Sequence, residues 1–154
     1  MKRTSTIAAG ILAALAVSSA TASAGQSTSA HAARAATVQL RHTSRGTILV
    51  NSSGFTLYHF TRDSRNRDTC AKVSECLMNW PALRASGKPT AGPGVKASLL
   101  STIPLAGGGR QVTYAGYPLY TYFSQSERAE TGYIGANAFG GNWDAVNARG
   151  GLIK

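Results

Sequence analysis

The chain has few acidic side chains and, beyond its N-terminal segment, no long apolar run. Asp and Glu number 6 against 16 Lys and Arg, and the formal net charge is +10. So few carboxyl groups make the paired acids of a glycoside hydrolase hard to assemble, and the G-x-S-x-G nucleophile motif is absent. No apolar stretch after residue 24 approaches the roughly 20 residues of a transmembrane helix. We therefore expect neither an enzyme nor a transmembrane span.

The first 24 residues have the pattern of a secretory signal peptide. A basic start precedes an apolar run over residues 7–17, and small residues at 22–24 suit cleavage. No Cys lies near that position, so lipid attachment there is not expected. Residues 25–36 lack large apolar side chains and are predicted to be a flexible tether. The sequence thus predicts a secreted, extracytoplasmic domain over residues 37–154.

Cysteine is also scarce, since the chain contains only Cys70 and Cys76. Two Cys in an exported chain favour a disulfide. A redox pair is a weaker alternative, because the spacing is C-x5-C and not the C-x-x-C that tunes thiolate chemistry. A zinc site is weaker still, because two Cys without further spaced ligands do not make a tetrahedral set. We predict a disulfide and neither a metal nor a cofactor.

What the chain does contain is an internal duplication. Residues 54–60 read GFTLYHF and return 62 positions later as GYPLYTY, while NWPAL at 79–83 returns 63 positions later as NWDAV. A repeated unit of this kind needs its twin to cover its apolar face. The matched positions are Gly54, Leu57, Tyr58, Phe60 and Trp80 in the first copy, and Gly116, Leu119, Tyr120, Tyr122 and Trp143 in the second.

The predicted fold is mainly β, with two related β-hairpin repeats packed as one small domain and little helix. The copies span about residues 37–85 and 101–150. Each G-x-x-L-Y-x-aromatic segment follows a turn and reads as the second strand of a hairpin. Because both faces of that strand carry large side chains, we expect it to be covered on both sides. The duplication favours a core role for the aromatic residues, and an exposed stacking platform is the alternative.

The motif Tyr58-x-Phe60-x-x-Asp63, followed by paired Cys and N-W-P and then by the second copy, resembles a bacterial secreted-repeat family. The family consists of predicted lipoproteins with a Y-x-(F/W/Y)-x-x-D motif, and the resemblance covers about residues 38–153. It implies an exported envelope protein, but no activity, because the function of the family is unknown. The chain departs from the family in lacking a lipobox and in its longer Cys spacing. Gln125 stands where the second copy would repeat Asp63.

Two sets of residues are candidates for binding. Tyr58, His59 and Asp63 could contribute to a small-ligand site, and His59 and Asp63 could form a metal site with His42. A regular strand would place Tyr58 and His59 on opposite faces, and Asp63 is as readily explained as a turn cap. The second set is a cluster of cations in the loop that the disulfide would close, namely Arg62, Arg65, Arg67 and Lys72.

The cationic loop suggests contact with anionic envelope polymers or lipid head groups. A solvated basic surface is the alternative. Nucleic acid is not expected as a partner, because an exported protein would not meet it and because no reader motif is present. From these features we expect an exported, non-enzymatic cell-envelope module that acts by binding or as a structural element. An extracytoplasmic small-ligand or metal-binding protein is the alternative hypothesis. The sequence indicates no oligomeric state.

Overall fold

The computed structural model describes residues 36–154, which fall in one compact unit. The predicted signal peptide and all but the last residue of the predicted tether lie outside the described residues. Within residues 36–154 the fold is mainly β, as predicted, with several sheets and almost no helix. No helix in this part of the chain has the length and apolar character needed to cross a membrane.

The described part of the chain contains strands β1 to β11 and one short helix, α1. The strands of the first half are β1 (Thr37–Thr43), β2 (Gly46–Val50), β3 (Tyr58–Phe60), β4 (Arg84–Ala85) and β5 (Thr90–Ala91), with α1 (Cys76–Asn79) between β3 and β4. The remaining strands are β6 (Leu100–Pro104), β7 (Arg110–Tyr114), β8 (Tyr117–Pro118), β9 (Ala136–Ala138), β10 (Gly141–Val146) and β11 (Leu152–Ile153). Single 3-10 turns cover Cys70–Lys72 and Ala97–Leu99.

Three small sheets hold these strands. The first has the order β2-β1-β5, the second β11-β10-β3 with β9 on β10, and the third β4-β7-β6 with β8 on β7. Hairpins β1-β2 and β6-β7 pair in regular antiparallel register, whereas β5 lies parallel to β1. The Gly- and Pro-rich segment over residues 86–95 includes this short edge strand, a contact with β1 that no local pattern indicates.

The two copies are joined by their equivalent tyrosines. The amide of Tyr58 donates to the carbonyl of Tyr120 at 2.9 Å, and the amide of Tyr120 donates back to the carbonyl of Tyr58 at 3.0 Å. Because the two residues occupy the same position of the repeat, a pseudo-two-fold axis passes between them. The repeated strands therefore meet side by side at the centre of the domain.

Each copy's N-W-x-A segment pairs with the strand of the other copy. Ala145 bridges to Tyr58, and Ala82 bridges in the same way to Tyr120. At the next position, the amides of Thr61 and Phe123 donate to the carbonyls of Asn142 and Asn79, both at 2.9 Å. The halves are thus interlocked, and neither half could complete its own sheet.

Two hydrophobic clusters cover the central strands from opposite sides. Tyr58, Phe60 and Tyr120 point into one cluster, and Leu57 and Leu119 point into the other. All five side chains are fully buried. The expectation that these strands are covered on both faces is confirmed, and it follows from the period-2 alternation of a strand with large side chains on both faces.

The glycine of each copy is required by the approach of the other copy. Gly54 and Gly116 adopt positive φ of 88° and 85°. A Cβ on Gly54 would lie 3.1 Å from Arg128, and one on Gly116 would lie 3.1 Å from Arg65. The carbonyl of each glycine accepts an amide from the opposite loop, from Ala129 and Asn66 respectively.

Candidate functional site

The repeated aromatic residues form a stack at the centre of the first cluster. The rings of Trp80 and Trp143 are parallel with centroids 4.0 Å apart, and Phe60 stacks on the other face of Trp143 at 4.3 Å. Tyr58 and Tyr120 meet this stack edge-on. These five rings are buried, so the core interpretation is confirmed for them and the exposed-platform alternative is wrong. Tyr122, the remaining repeat aromatic, is half-buried at the edge, where it contacts Trp80 and the exposed Phe123.

The carboxylate of Asp63 accepts hydrogen bonds from one backbone amide and from one side chain. Its Oδ1 accepts the amide of Thr69 at 2.7 Å, and its Oδ2 accepts the hydroxyl of Tyr120 at 2.7 Å. The predicted cap is therefore present, although the capped amide lies six residues along the loop and not in the adjacent turn. The hydroxyl of Tyr120 also lies 2.9 Å from Oδ1 of Asp68. One hydroxyl proton thus faces two carboxyl groups.

Burial raises the pKa of Asp63 to about 6. The charge of Asp68 acts in the same direction, while the hydrogen bonds from Thr69 and Tyr120 oppose the shift. The pKa of Tyr120 is raised as well, first by burial and then by the two carboxyl groups. The cluster is a structural clamp between the first copy's loop and the second copy's strand, because all its hydrogen bonds hold chain segments together.

The predicted disulfide joins Cys70 to Cys76, and both residues are fully buried. It connects the 3-10 turn to the start of α1, beneath the loop that carries the cations. Arg62, Arg65, Arg67 and Lys72 are all exposed on this loop. None of the four forms an ion pair with a carboxylate of the described residues.

The loop's cations and acids face different ways. Arg62 donates to the carbonyl of Phe139 at 2.7 Å, and the guanidinium of Arg65 lies beside Gly116. Arg67 and Lys72 line a shallow groove of about 260 Å³ with residues 103–106. The acids of the same loop instead bind Tyr120 and backbone amides inside the fold.

A second concave region lies beside His59. A pocket of about 330 Å³ is lined by residues of β3, of the following turn, of β8 and of the C-terminal segment: His59, Thr61, Asp63, Tyr117, Gly150, Gly151 and Leu152. His59 is 5% exposed, and neither ring nitrogen has a hydrogen-bond partner within residues 36–154. Burial lowers its pKa to about 4, so the imidazole is neutral at physiological pH.

The candidate small-ligand residues are only partly brought together. His59 and Asp63 line the same pocket, but Tyr58 points to the other side of the strand and packs against Trp80. His42 is engaged elsewhere, with the hydroxyl of Thr47 at 2.8 Å. In the described part of the chain no three His, Cys, Asp or Glu side chains are grouped to hold a metal ion.

Sequence reasoning missed Asp144 and Tyr117. Asp144 lies directly opposite His59 in the register of β10 and β3, is 1% exposed, and has an Oδ2 without a partner. Burial raises the pKa of its carboxyl group, and the positive charge of Lys154 partly offsets this rise. Tyr117 meets His59 edge-on at 4.6 Å. The sequence held one signal for the pair His59 and Asp144. Their equivalent positions in the other copy hold Thr121 and Pro81, so the repeat does not conserve these two polar residues.

Comparison with known proteins found one partial match, and that match carries no activity. A family model described as a secreted repeat of unknown function matches residues 40–84, which contain the first copy of the strand and N-W-x-A motifs. Neither the curated proteins nor the solved structures gave a match. The matched segment is consistent with an extracytoplasmic location and carries the cationic disulfide loop. Over residues 40–84, the chain is similar to a secreted repeat of unknown function.

Proposed function

We propose that this protein is an exported, non-enzymatic module that binds phosphate-bearing polymers or lipid head groups of the cell envelope through its cationic disulfide loop. The observation that supports the proposal is a partial separation of charges in this loop. Asp63 and Asp68 bind Tyr120 and backbone amides, whereas Arg62, Arg65, Arg67 and Lys72 are exposed without ion pairs in the described chain, and Glu75 is the one exposed acid beside them.

This separation gives the loop a concentrated positive field. Acids that bind Tyr120 inside the fold do not pair with the neighbouring cations, so an incoming anion meets those cations without displacing a bound carboxylate. The disulfide and the Asp63 clamp hold the loop in place, which reduces the ordering cost of binding. The groove beside Arg67 and Lys72 gives a phosphate group a place to approach both cations.

The test compares binding to vesicles of phosphatidylglycerol, vesicles of phosphatidylcholine and poly(glycerol phosphate). We expect binding to the anionic probes only, and a steep loss as added salt shortens the Debye length from about 10 Å to about 3 Å. Preference for the vesicles or for the polymer distinguishes a lipid from a wall-polymer partner. Equal retention on the neutral vesicles, or retention that is independent of salt, would contradict the proposal.

A matched pair of triple variants locates the contact. Arg65→Gln, Arg67→Gln and Lys72→Gln together remove three charges from the loop, and Arg41→Gln, Arg45→Gln and Lys88→Gln remove three exposed charges elsewhere. We expect the loop variant to lose most of the binding and the control variant to keep it, with both folded, because exposed charges contribute little to stability. Equal weakening in the two variants would mean that net charge, and not this loop, governs association.

A further inference from the structure

The pocket beside His59 combines features that strand pairing does not require. His59 and Asp144 are opposed on neighbouring strands, and such side chains lie on the same face with Cβ atoms about 5 Å apart. Three of their polar atoms, the two ring nitrogens and Oδ2 of Asp144, are buried without a hydrogen-bond partner in residues 36–154. Burying polar groups unpaired costs stability, so these atoms need a partner from outside the protein, either an ordered water or a ligand.

The second copy provides an internal control. At the same place in the repeat, Thr121 and Pro81 replace the pair, and the amide of Thr121 still donates to the carbonyl of Pro81 at 2.9 Å. The backbone arrangement therefore forms equally well without an imidazole and a carboxyl group. The polar pair is a feature of one half only, and its histidine lines the pocket that Asp63, Tyr117 and the C-terminal segment complete.

We propose that this pocket binds a polyhydroxylated ligand, either a free sugar or the sugar residue of a glycan, through hydroxyl groups that hydrogen-bond to His59 and Asp63. A neutral imidazole presents one N–H donor and one acceptor nitrogen, while an ionised carboxylate only accepts. A ligand group here must therefore both donate and accept. A hydroxyl does both, an ammonium only donates, and a phosphate or carboxylate anion would face Asp63.

The remaining walls suit the same class of ligand. The ring of Tyr117 and the side chain of Leu152, which is 38% exposed, offer apolar surface to the C–H face of a sugar ring. The volume of about 330 Å³ places the pocket at the small end of ligand sites. A bound metal ion is not the better explanation, since the described residues contain no group of three ligating side chains.

The experiment is a titration of the 15N-labelled full chain followed by NMR of its backbone amides and histidine rings. The probes are D-glucose and N-acetyl-D-glucosamine, with acetamide as a probe that carries an amide and no hydroxyl. We expect at least one sugar to shift the ring nitrogens of His59 and the amides of Thr61 and Gly151 in a saturable way at millimolar concentration. The ring of His42 should not respond. Maltose distinguishes a free sugar from a glycan as the ligand, because a glycan site would bind this disaccharide more tightly than glucose.

Two substitutions make the test specific. His59→Thr introduces the residue of the twin site and should weaken sugar binding by about tenfold or more, read from the amides of Thr61 and Gly151. His42→Thr, a change of the same kind at an exposed position, should leave binding unchanged. His59→Gln keeps one hydrogen-bond donor and one acceptor, so it should retain part of the sugar binding. It replaces His59→Thr in the test if the Thr variant does not fold. Absence of a saturable shift with both sugars, an equal response to acetamide, or unaltered binding by His59→Thr would overturn the proposal.

Discussion

The two halves of the domain share their strand, their turn glycine and their tryptophan, yet differ in how the segment before the tryptophan is held. In the first half, Cys70 and Cys76 are cross-linked and lead into the single helical turn α1. Tyr133 and Phe139 occupy the same repeat positions in the second half, where β9 and β10 form a hairpin instead. Both arrangements bring a tryptophan to the same stack, so the stack is the constant feature and the route to it is variable.

The halves also differ in the groups that surround the repeated strand. Tyr120 donates to carboxyl groups at 2.7 and 2.9 Å, whereas its twin Tyr58 has only a 3.5 Å contact with the carbonyl of Glu130. His59 and Asp144 stand where the other half has Thr and Pro. The comparison separates two kinds of position. Those that are alike in both halves hold the shared core, while those that differ either brace one half, as the disulfide and Asp63 do, or have no structural counterpart, as His59 and Asp144.

The largest expected effect is at the tryptophan pair. Replacing either Trp80 or Trp143 with Ala should cost about 3–5 kcal/mol of unfolding free energy, because each ring is fully packed. Trp143→Ala should cost more, since this ring is stacked on both faces. Urea denaturation of both variants and of Met78→Ala, an exposed control, measures the difference. Costs close to that of the control would mean that the halves do not share a core.

The next effect is a pH-dependent one at His59. Its pKa is about 4 in the folded chain against an ordinary 6.5, so the unfolded chain binds more protons between these values. The stability that His59 contributes is therefore present above pH 6.5 and is lost as the pH falls to about 4, by roughly 3 kcal/mol. Asp63 acts in the opposite direction, because its pKa is raised to about 6 and the folded chain then binds more protons.

His59→Thr should consequently gain stability relative to the unsubstituted chain as the pH is lowered from 7 to 4. Denaturant titrations at the two pH values measure this gain, with His42→Thr as the control. A stability difference that stays constant across the range would show that His59 is not buried in its neutral form, and the contrast with Thr121 would lose its energetic basis.

The smallest of the three effects concerns the tyrosine hydroxyls. Tyr120→Phe should cost about 2 kcal/mol, because it removes a hydrogen bond to a charged group and leaves a buried carboxyl group with one partner fewer. Tyr58→Phe should cost about 0.5 kcal/mol or less, since its hydroxyl contact is long. Thermal unfolding of the two variants gives the comparison directly. Equal costs would show that the Asp63 clamp does not distinguish the halves.

Much of the fold was predictable because the signals were local. The turns before the two G-x-x-L-Y segments lie where they were predicted, and the second is followed by a strand, β8, that pairs with β7 as a hairpin. The prediction of a β2-β3 hairpin in the first copy is wrong, because β3 pairs with β10 and β2 pairs with β1. The disulfide followed from two Cys in a chain with the pattern of a signal peptide. By contrast, β5, β9 and β11 are strands of two or three residues, too short to leave a periodic pattern. They exist because a neighbouring strand supplies their partners.

The candidate site was predictable in its members but not in its grouping. Asp63 was a candidate from its motif, while its bond to Tyr120, and not to Tyr58 of its own motif, depends on the crossing of the two halves. Asp144 was passed over because one acid beside a tryptophan carries no signal of its own. Only the register of β10 against β3 places it opposite His59.

The sequence by itself determined the duplication, the mainly β fold and the disulfide, and it favoured a core role for the repeated aromatic residues, because each depends on residue type and short-range spacing. The tertiary structure alone decided that each N-W-x-A segment pairs with the other copy's strand. It also decided which of two equivalent tyrosines meets an acid and where a pocket lies. Repeat copies with the same local pattern could pair within or between themselves, and the packing of the whole core, not the local pattern, selects between these arrangements.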